Sequence, residues 1–202
     1  MIEKFENFND KKARVRLLYA DSSVHIARCR YTRPSEDEFF MPSAAVTYVQ
    51  QGRKVVFLNG VKHEMTAGDV LFIPRNAIIY SDITVKKSDF ISVNMLINND
   101  PVDGEAVLAY MATRVTAPHE LAELARTHHM SLSTFKRWFR RHTGASPGQW
   151  LIARRLERAS FLLGHKQRAV TDACFESGFN DLSYFIRRYK QHFGATPGAA
   201  RN

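Results

Sequence analysis

Cysteine is scarce in this 202-residue chain: Cys29 and Cys174 are the only two, one in each half, without the close spacing of metal ligands. A disulfide framework is therefore excluded, and a reducing compartment, the cytoplasm, suits the chain. No stretch approaches the roughly 20 apolar residues of a membrane helix. The opening MIEKFENFNDKK lacks an apolar core of signal-peptide length, so no membrane is expected. Acidic residues thin out along the chain. Residues 1–100 hold 14 Lys+Arg against 12 Asp+Glu, whereas residues 101–202 hold 15 against 8, within a net charge of +9. That imbalance points to an acidic polymer, nucleic acid first, with a solubilising basic surface as the plain alternative.

Catalytic constellations are missing too. The sequence offers no Ser/His/Asp or Cys/His arrangement and no paired carboxylates, so no catalytic residue, metal or cofactor is assigned. His63-Glu64 stands alone, and a lone histidine is far more often a surface or core residue than a ligand.

What is present divides into two periodicities. RVRLLYA (14–20), SVHIARCRY (23–31), AVTYVQQG (45–52), KVVFLNG (54–60), DVLFIP (69–74) and DFISVNMLI (89–97) alternate as strands do, separated by turn residues. Asn59-Gly60 between two such runs predicts a tight hairpin, because both residues tolerate positive φ. Many short antiparallel strands predict a sandwich or small barrel over residues 1–100. The polar stretch NNDPVDG (98–104) marks a boundary. Residues 101–117 read as a linker with one short helix bearing Val107, Leu108 and Met111. Pro118 opens the next helix, with Leu121, Leu124 and Ala125 facing in.

Residues 118–202 contain one motif twice. LSTFKRWFRRHTGASPG (132–148) and LSYFIRRYKQHFGATPG (182–198) share Leu132/Leu182, Ser133/Ser183, Phe135/Phe185, Arg137/Arg187, Gly144/Gly194 and Pro147/Pro197. In the first copy Leu132, Phe135, Trp138 and Phe139 form an apolar stripe. Ser133, Lys136, Arg137 and Arg140 share the other face, Ser131 or Ser133 caps the helix, and Gly144 ends it. A preceding helix with small residues makes each copy a helix-turn-helix, at about 118–144 and about 168–194. Gly148–Gly164 reads as one helix joining them, with Trp150, Leu151, Leu156, Ala159, Leu162 and Leu163 on its apolar side. Two basic helices with matched caps suit double-stranded DNA better than solvated packing repeats do. The fold class expected is α+β in two domains.

Leu121–Gly144, RLERASFLL (155–163) and the signature from Val170 to Pro197 resemble the AraC/XylS transcription regulators. The resemblance implies that the second helix of each module reads bases: Ser133, Lys136 and Arg137, then Ser183, Ile186 and Arg187. Arg140, Arg141, Arg188 and Lys190 would hold phosphates. The second helix departs by carrying Leu182 and Ile186 on its outer face, which leaves open whether it reads or mainly positions. TAGDVLFIPRNAIIYS (66–81) resembles the cupin-like sensor domain of the same family. That implies an effector, small molecule or protein, at the N-terminal half, with a pocket lined by Val46, Tyr48, Val56, Leu58, Phe72, Ile91 and Val93. Core filling is the other reading of each of those seven. The resemblance also implies activation through RNA polymerase. A homodimer is left open, since only about residues 102–114 are available for the extra helices of such sensors. A non-specific architectural DNA-binding protein remains a second reading. A cupin enzyme is the third, opposed by the missing His-x-His pair, by AAVTYVQQGRK (44–54) holding no histidine, and by Tyr80 where a late histidine is expected.

Overall fold

The computed structural model describes residues 13–86, 88–97, 105–117, 120–127 and 129–201. The expected boundary at 98–104 and the helix-opening Pro118 lie outside the described residues. The chain divides into two compact units, Met1–Glu105 and Ala106–Asn202.

Among the described residues the first unit holds β1 (Ala13–Ala20), β2 (Val24–Tyr31), β3 (Ser35–Met41), β4 (Ala44–Gln51), β5 (Arg53–Leu58), β6 (Val61–Thr66), β7 (Val70–Ile73), β8 (Ala77–Thr84) and β9 (Phe90–Ile97). They form two sheets, ordered β1-β2-β9-β4-β7 and β3-β8-β5-β6, and every ladder is antiparallel. One apolar core draws on both: Ala27, Cys29, Ala45, Val49 and Leu96 from the first sheet meet Met41, Val56, Leu58, Met65, Ile79 and Ile83 from the second. Such two-faced burial is what makes a pair of sheets a sandwich. Asn59 and Gly60 take φ of 52° and 77°, and Leu58 pairs with Val61 across them, so the expected two-residue hairpin is present.

The pocket assignment needs correction. Successive strand residues alternate faces, and register pairs share one. On β4 the residues at the core are Ala45, Thr47 and Val49, at 2%, 2% and 0% exposure. Val46 and Tyr48 therefore lie on the opposite face, where Val46 pairs with Phe72 and Met95, and Tyr48 with Val70 and Val93. Tyr48, Val70 and Phe72 are exposed. Ile91 is buried, but it shares Val93's parity rather than that of the core residue Phe90. Of the seven, only Val56 and Leu58 face the interior. Alternation in a sequence separates two faces without saying which is inside. Apolar residues stand on both faces of β4, β7 and β9, so the pattern could not decide.

The second unit is helical: α1 (Glu105–Thr113), α2 (Leu121–Thr127), α3 (Leu132–Thr143), α4 (Pro147–Gly164), α5 (Val170–Glu176), α6 (Leu182–Phe193) and a 3₁₀ turn at Ala199–Arg201. No described helix is long and apolar enough to cross a membrane. Val107, Leu108 and Met111 of α1 are buried. α4 starts at a capping box in which Ser146 and Gln149 exchange bonds, with Pro147 in its first turn, one residue before the expected start. A core of Leu156, Ala159, Leu162, Leu163, Ala173, Cys174, Phe179, Phe185 and Tyr189 joins α4, α5 and α6. Arg155 of α4 donates from Nε to the Val115 carbonyl at 2.8 Å and from Nη2 to the Ala117 carbonyl at 3.1 Å. This ties the segment after α1 to the middle of the unit.

Gly178 sits beneath that tie. Its φ is +86°, and a Cβ there would stand 2.8 Å from Thr116 Cα and 2.9 Å from the Thr116 carbonyl oxygen. Gly194 has φ of +75° with nothing within 4 Å of the same position. The two glycines separate backbone strain from close approach. Gly194→Ala should cost about 1 kcal/mol, the left-handed penalty alone. Gly178→Ala should cost about 3 kcal/mol or more, because backbone must also move. Urea unfolding of the two variants checks this; equal costs would show that the contact at Thr116 carries no weight.

Candidate nucleic-acid interface

Each copy of the motif is two short helices with a left-handed turn between them. In the first, α2 buries Leu124 and Ala125, and the chain reverses at His129 with φ of 55°. The Met130 N–H donates to the Ala125 carbonyl at 2.9 Å. In the second, α5 buries Ala173 and Cys174, the reversal is at Gly178, and the Phe179 N–H donates to the Cys174 carbonyl at 3.1 Å. Both are six-to-one closures of the Schellman type, which satisfy a carbonyl the helix leaves open.

The second helix of each copy then begins at a side-chain cap. Ser131 accepts from the Thr134 N–H at 3.1 Å, and Asp181 from the Tyr184 N–H at 2.7 Å. Ser131, not Ser133, is thus the cap of α3; Ser133 Oγ lies 3.0 Å from Ser131 Oγ. Both helices end at glycines of φ 75°, whose N–H groups donate to the carbonyls of Arg140 and Lys190. The same frame is therefore built twice.

Burial fixes which face is offered to solvent. Phe135 and Phe139 of α3 are fully buried, as are Phe185 and, at 1% exposure, Tyr189 of α6. Phe139 meets Trp150 of α4 edge to face at 5.8 Å. Trp138 is only half-buried and Leu132 is exposed, so the expected apolar stripe is narrower than drawn. On the far side Ser133, Lys136, Arg137, Arg140 and Arg141 are all exposed. On α6, Ser183, Ile186, Arg187 and Lys190 are exposed. The Arg187 guanidinium lies 5.6 Å over the Tyr184 ring, a support that Arg137 lacks because Thr134 stands at the matching position. Arg188 stands apart. It occupies the place of Trp138, its Nε is buried without a hydrogen-bond partner, and its Nη1 donates to Gln191 at 2.7 Å. It belongs to the flank of α6 rather than to its exposed face.

Under these helices lies a charged pair with no counterpart in the sequence reading. Arg154 and Glu157, one turn apart on α4, approach to 2.7 Å, and Glu157 is 3% exposed. Glu157 Oε2 and Arg154 Nε are buried without hydrogen-bond partners. Burial pushes the Glu157 carboxyl up to about 7, and Arg154 only partly offsets it. The spacing RRLE with an acid on the apolar side of a predicted helix was the available signal. Arg155 offered none, because its partners are backbone carbonyls.

A helix-turn-helix domain family profile matches residues 124–202. The virulence regulon transcriptional activator VirF of Yersinia enterocolitica is 34% identical over 112 residues, 55% of this chain and 41% of that protein. The chain thus spans about two-fifths of that relative's length. Among solved structures, the DNA-binding domain of AdpA, a global transcriptional factor in complex with a target DNA, is similar at 30% identity. The match covers 51% of this chain and 91% of that one, with a TM-score of 0.46. A cupin from Shewanella frigidimarina is similar at 17% identity over 46% of this chain and 82% of that one, with a TM-score of 0.41.

The buried acid makes the unit sensitive to pH in a stated direction. Glu157 holds its proton to about 7 when folded, against an ordinary value of 4.5. Between those values the folded state binds more protons, so stability from this group is full below the lower value and is lost as pH rises through the upper one. Thermal unfolding between about pH 5 and pH 8 should show this decline, at most about 3 kcal/mol, and Glu157→Gln should flatten it. A decline of the same size in the variant would place its source elsewhere.

Proposed function

With its helical unit a member of the AraC-type helix-turn-helix family, this chain is, we propose, a sequence-specific DNA-binding transcription regulator that reads adjacent major grooves with α3 and α6. One observation carries the reading. A helix that buries two aromatic rings in the core and exposes basic side chains opposite them occurs twice in one chain, each time with a side-chain N-cap and a C-terminal glycine. Ser133, Lys136, Arg137 and Arg140 recur at the spacing of one helical face, so they meet a groove together. Arg137 and Arg187 suit bidentate contact with guanine O6 and N7. Lys136 and Ser133 complete the first reading set, and Ser183 with Ile186 the second, where Ile186 offers apolar contact to a thymine methyl. In this reading Arg140, Arg141 and Lys190 neutralise phosphates, and Arg188 does so from the flank.

The sandwich unit is the half through which regulation acts in this proposal, by a small molecule or a protein. Activation has the support of relatives named as transcriptional activators; contact with RNA polymerase and a cytoplasmic location belong to the proposal alone. A homodimer is compatible with the same scheme. A non-specific architectural role has one observation in its favour: Ile186, at 38% exposure, presents an apolar side chain where Lys136 presents a charge.

Selection of bound duplexes from a random pool at fixed salt separates the two. The regulator reading expects an enriched site with two half-motifs about one helical turn, ~34 Å, apart. No enrichment would leave the architectural role. Within the enriched site, Arg137→Ala should lower the specific-to-scrambled affinity ratio by about tenfold, the worth of one bidentate base contact. Arg141→Ala should weaken specific and scrambled duplexes alike and reduce the salt slope by about one. An unchanged ratio for Arg137→Ala would remove it from the base-reading set.

A further inference from the structure

Within the helical unit, α3 and α6 each pack on α4, and no extensive contact joins α3 to α6 directly. The placement of one helix relative to the other is therefore set through α4. Trp150, Arg154, Glu157 and Ser160 stand at i, i+4, i+7 and i+10 of α4, so they share one side of it. Near its N-terminal end Trp150 holds α3 through the edge-to-face contact with Phe139. Toward its C-terminal end Ser160 hydrogen-bonds the Tyr189 hydroxyl of α6. About 15 Å of helix separates those two residues, and Arg154 and Glu157 fill the interval.

Arg154 acts on both modules. Its guanidinium lies 5.7 Å from the centre of the Trp150 ring. Burial, and after it the charges of Arg154 and Arg188, pull the His192 imidazole on α6 below its ordinary value. Its Nη2 meets Glu157 Oε1 at 2.7 Å. Yet the pair is a poor stabiliser. Glu157 Oε2 and Arg154 Nε are buried without hydrogen-bond partners, and burial holds the carboxyl up at about 7. Two apolar side chains of similar volume would be as stable or more so. They would also repack over a wide range of geometry, whereas a buried charged contact is satisfied over a narrow one. The pair thus contributes to placement more than to stability.

We propose that Arg154 and Glu157 are positioning residues that fix α3 relative to α6, and thereby the spacing of half-motifs that the chain accepts. The proposal deepens the regulator reading, and it rests on that reading for the consequence on DNA. One base pair more or less between two half-motifs shifts the second by about 3.4 Å and turns it by about 34°. Two helices held in one relation cannot follow both changes, and two that are free to shift can.

The test titrates the full chain against its selected duplex and against duplexes with one base pair inserted or removed between the half-motifs. In the unchanged chain each alteration should weaken binding by about tenfold or more. Arg154→Met combined with Glu157→Leu should unfold at the same or a higher temperature, and its spacing penalty should fall to about threefold or less. Arg154→Leu combined with Glu157→Met serves if the first combination does not fold. Glu157→Gln keeps an acceptor for Arg154, so it should retain the full penalty. A second arm needs no DNA. Spin labels at Arg141→Cys and Gln191→Cys, exposed and at matching positions on α3 and α6, report the distance between the helices. Cys29 and Cys174 are buried, which keeps them from the label. The distance distribution should be narrow with the pair present and should widen in the apolar combinations. An undiminished spacing penalty in those combinations, an equally narrow distribution, or loss of the penalty in Glu157→Gln overturns the proposal. If selection enriches no duplex, the regulator reading fails while the label distances still decide the role of the pair.

Discussion

The helical unit depends on the burial of one aromatic side of α3 and of α6. Helices of 7 and 12 residues are too short to hold in water by themselves. They persist here because Phe135 and Phe139, and Phe185 and Tyr189, have no other place to go than the core beside α4. That burial also sets function. Once the aromatic side is fixed, the residues on the remaining side are fixed with it, and the spacing of Lys136, Arg137 and Arg140 becomes a rigid pattern rather than three mobile charges. Arg155 adds a second restraint. Its Nε and Nη2 donate to the Val115 and Ala117 carbonyls, which holds the segment after α1 against α4.

The two copies are alike where the frame is built and only partly alike beyond it, where Ser133/Ser183 and Arg137/Arg187 are shared on the exposed faces. The N-cap bonds, the C-terminal glycines and the positions of the buried rings match. Thr134 against Tyr184, Lys136 against Ile186 and Trp138 against Arg188 do not. The turns differ for a local reason. His129 accepts a left-handed φ at some strain, while its counterpart must be glycine because the Thr116 backbone passes against it. Duplication therefore kept the scaffold under the constraints of packing and left the exposed faces free to diverge. Two unlike faces on one frame suit a site with a direction better than a palindrome.

How much of this was legible in the sequence depended on whether the signal was local. The Asn59-Gly60 hairpin, the caps and the glycine stops are decided by a few adjacent residues, and the structure bears them out. Strands β3, β6 and β8 were not drawn from the pattern. SEDEFFM is rich in acids, VKHEMT has little apolar alternation, and AIIYSDIT is buried on nearly every residue, so none shows a clean period of two. The pocket residues failed on the choice of face, which depends on partners distant in sequence. Yet Lys54 was readable. Once Val56 and Leu58 are placed inward, a period of two puts Lys54 inward as well, and an inward lysine on a core strand demands an explanation.

That lysine also bears on how the two sheets are held against each other. Lys54 comes from the four-stranded sheet and Thr47 from the five-stranded one, and Nζ donates to Thr47 Oγ1 at 3.0 Å across the core. Thr47 pairs in the ladder with Asn94, whose Nδ2 reaches Ser92 Oγ and Cys29 Sγ on the same sheet. Apolar side chains pack acceptably over a range of spacings, whereas a buried hydrogen bond is satisfied only over a narrow one. A core of methionine and valine at these positions would avoid the cost of a buried ammonium, and it would fix the spacing of the sheets less sharply.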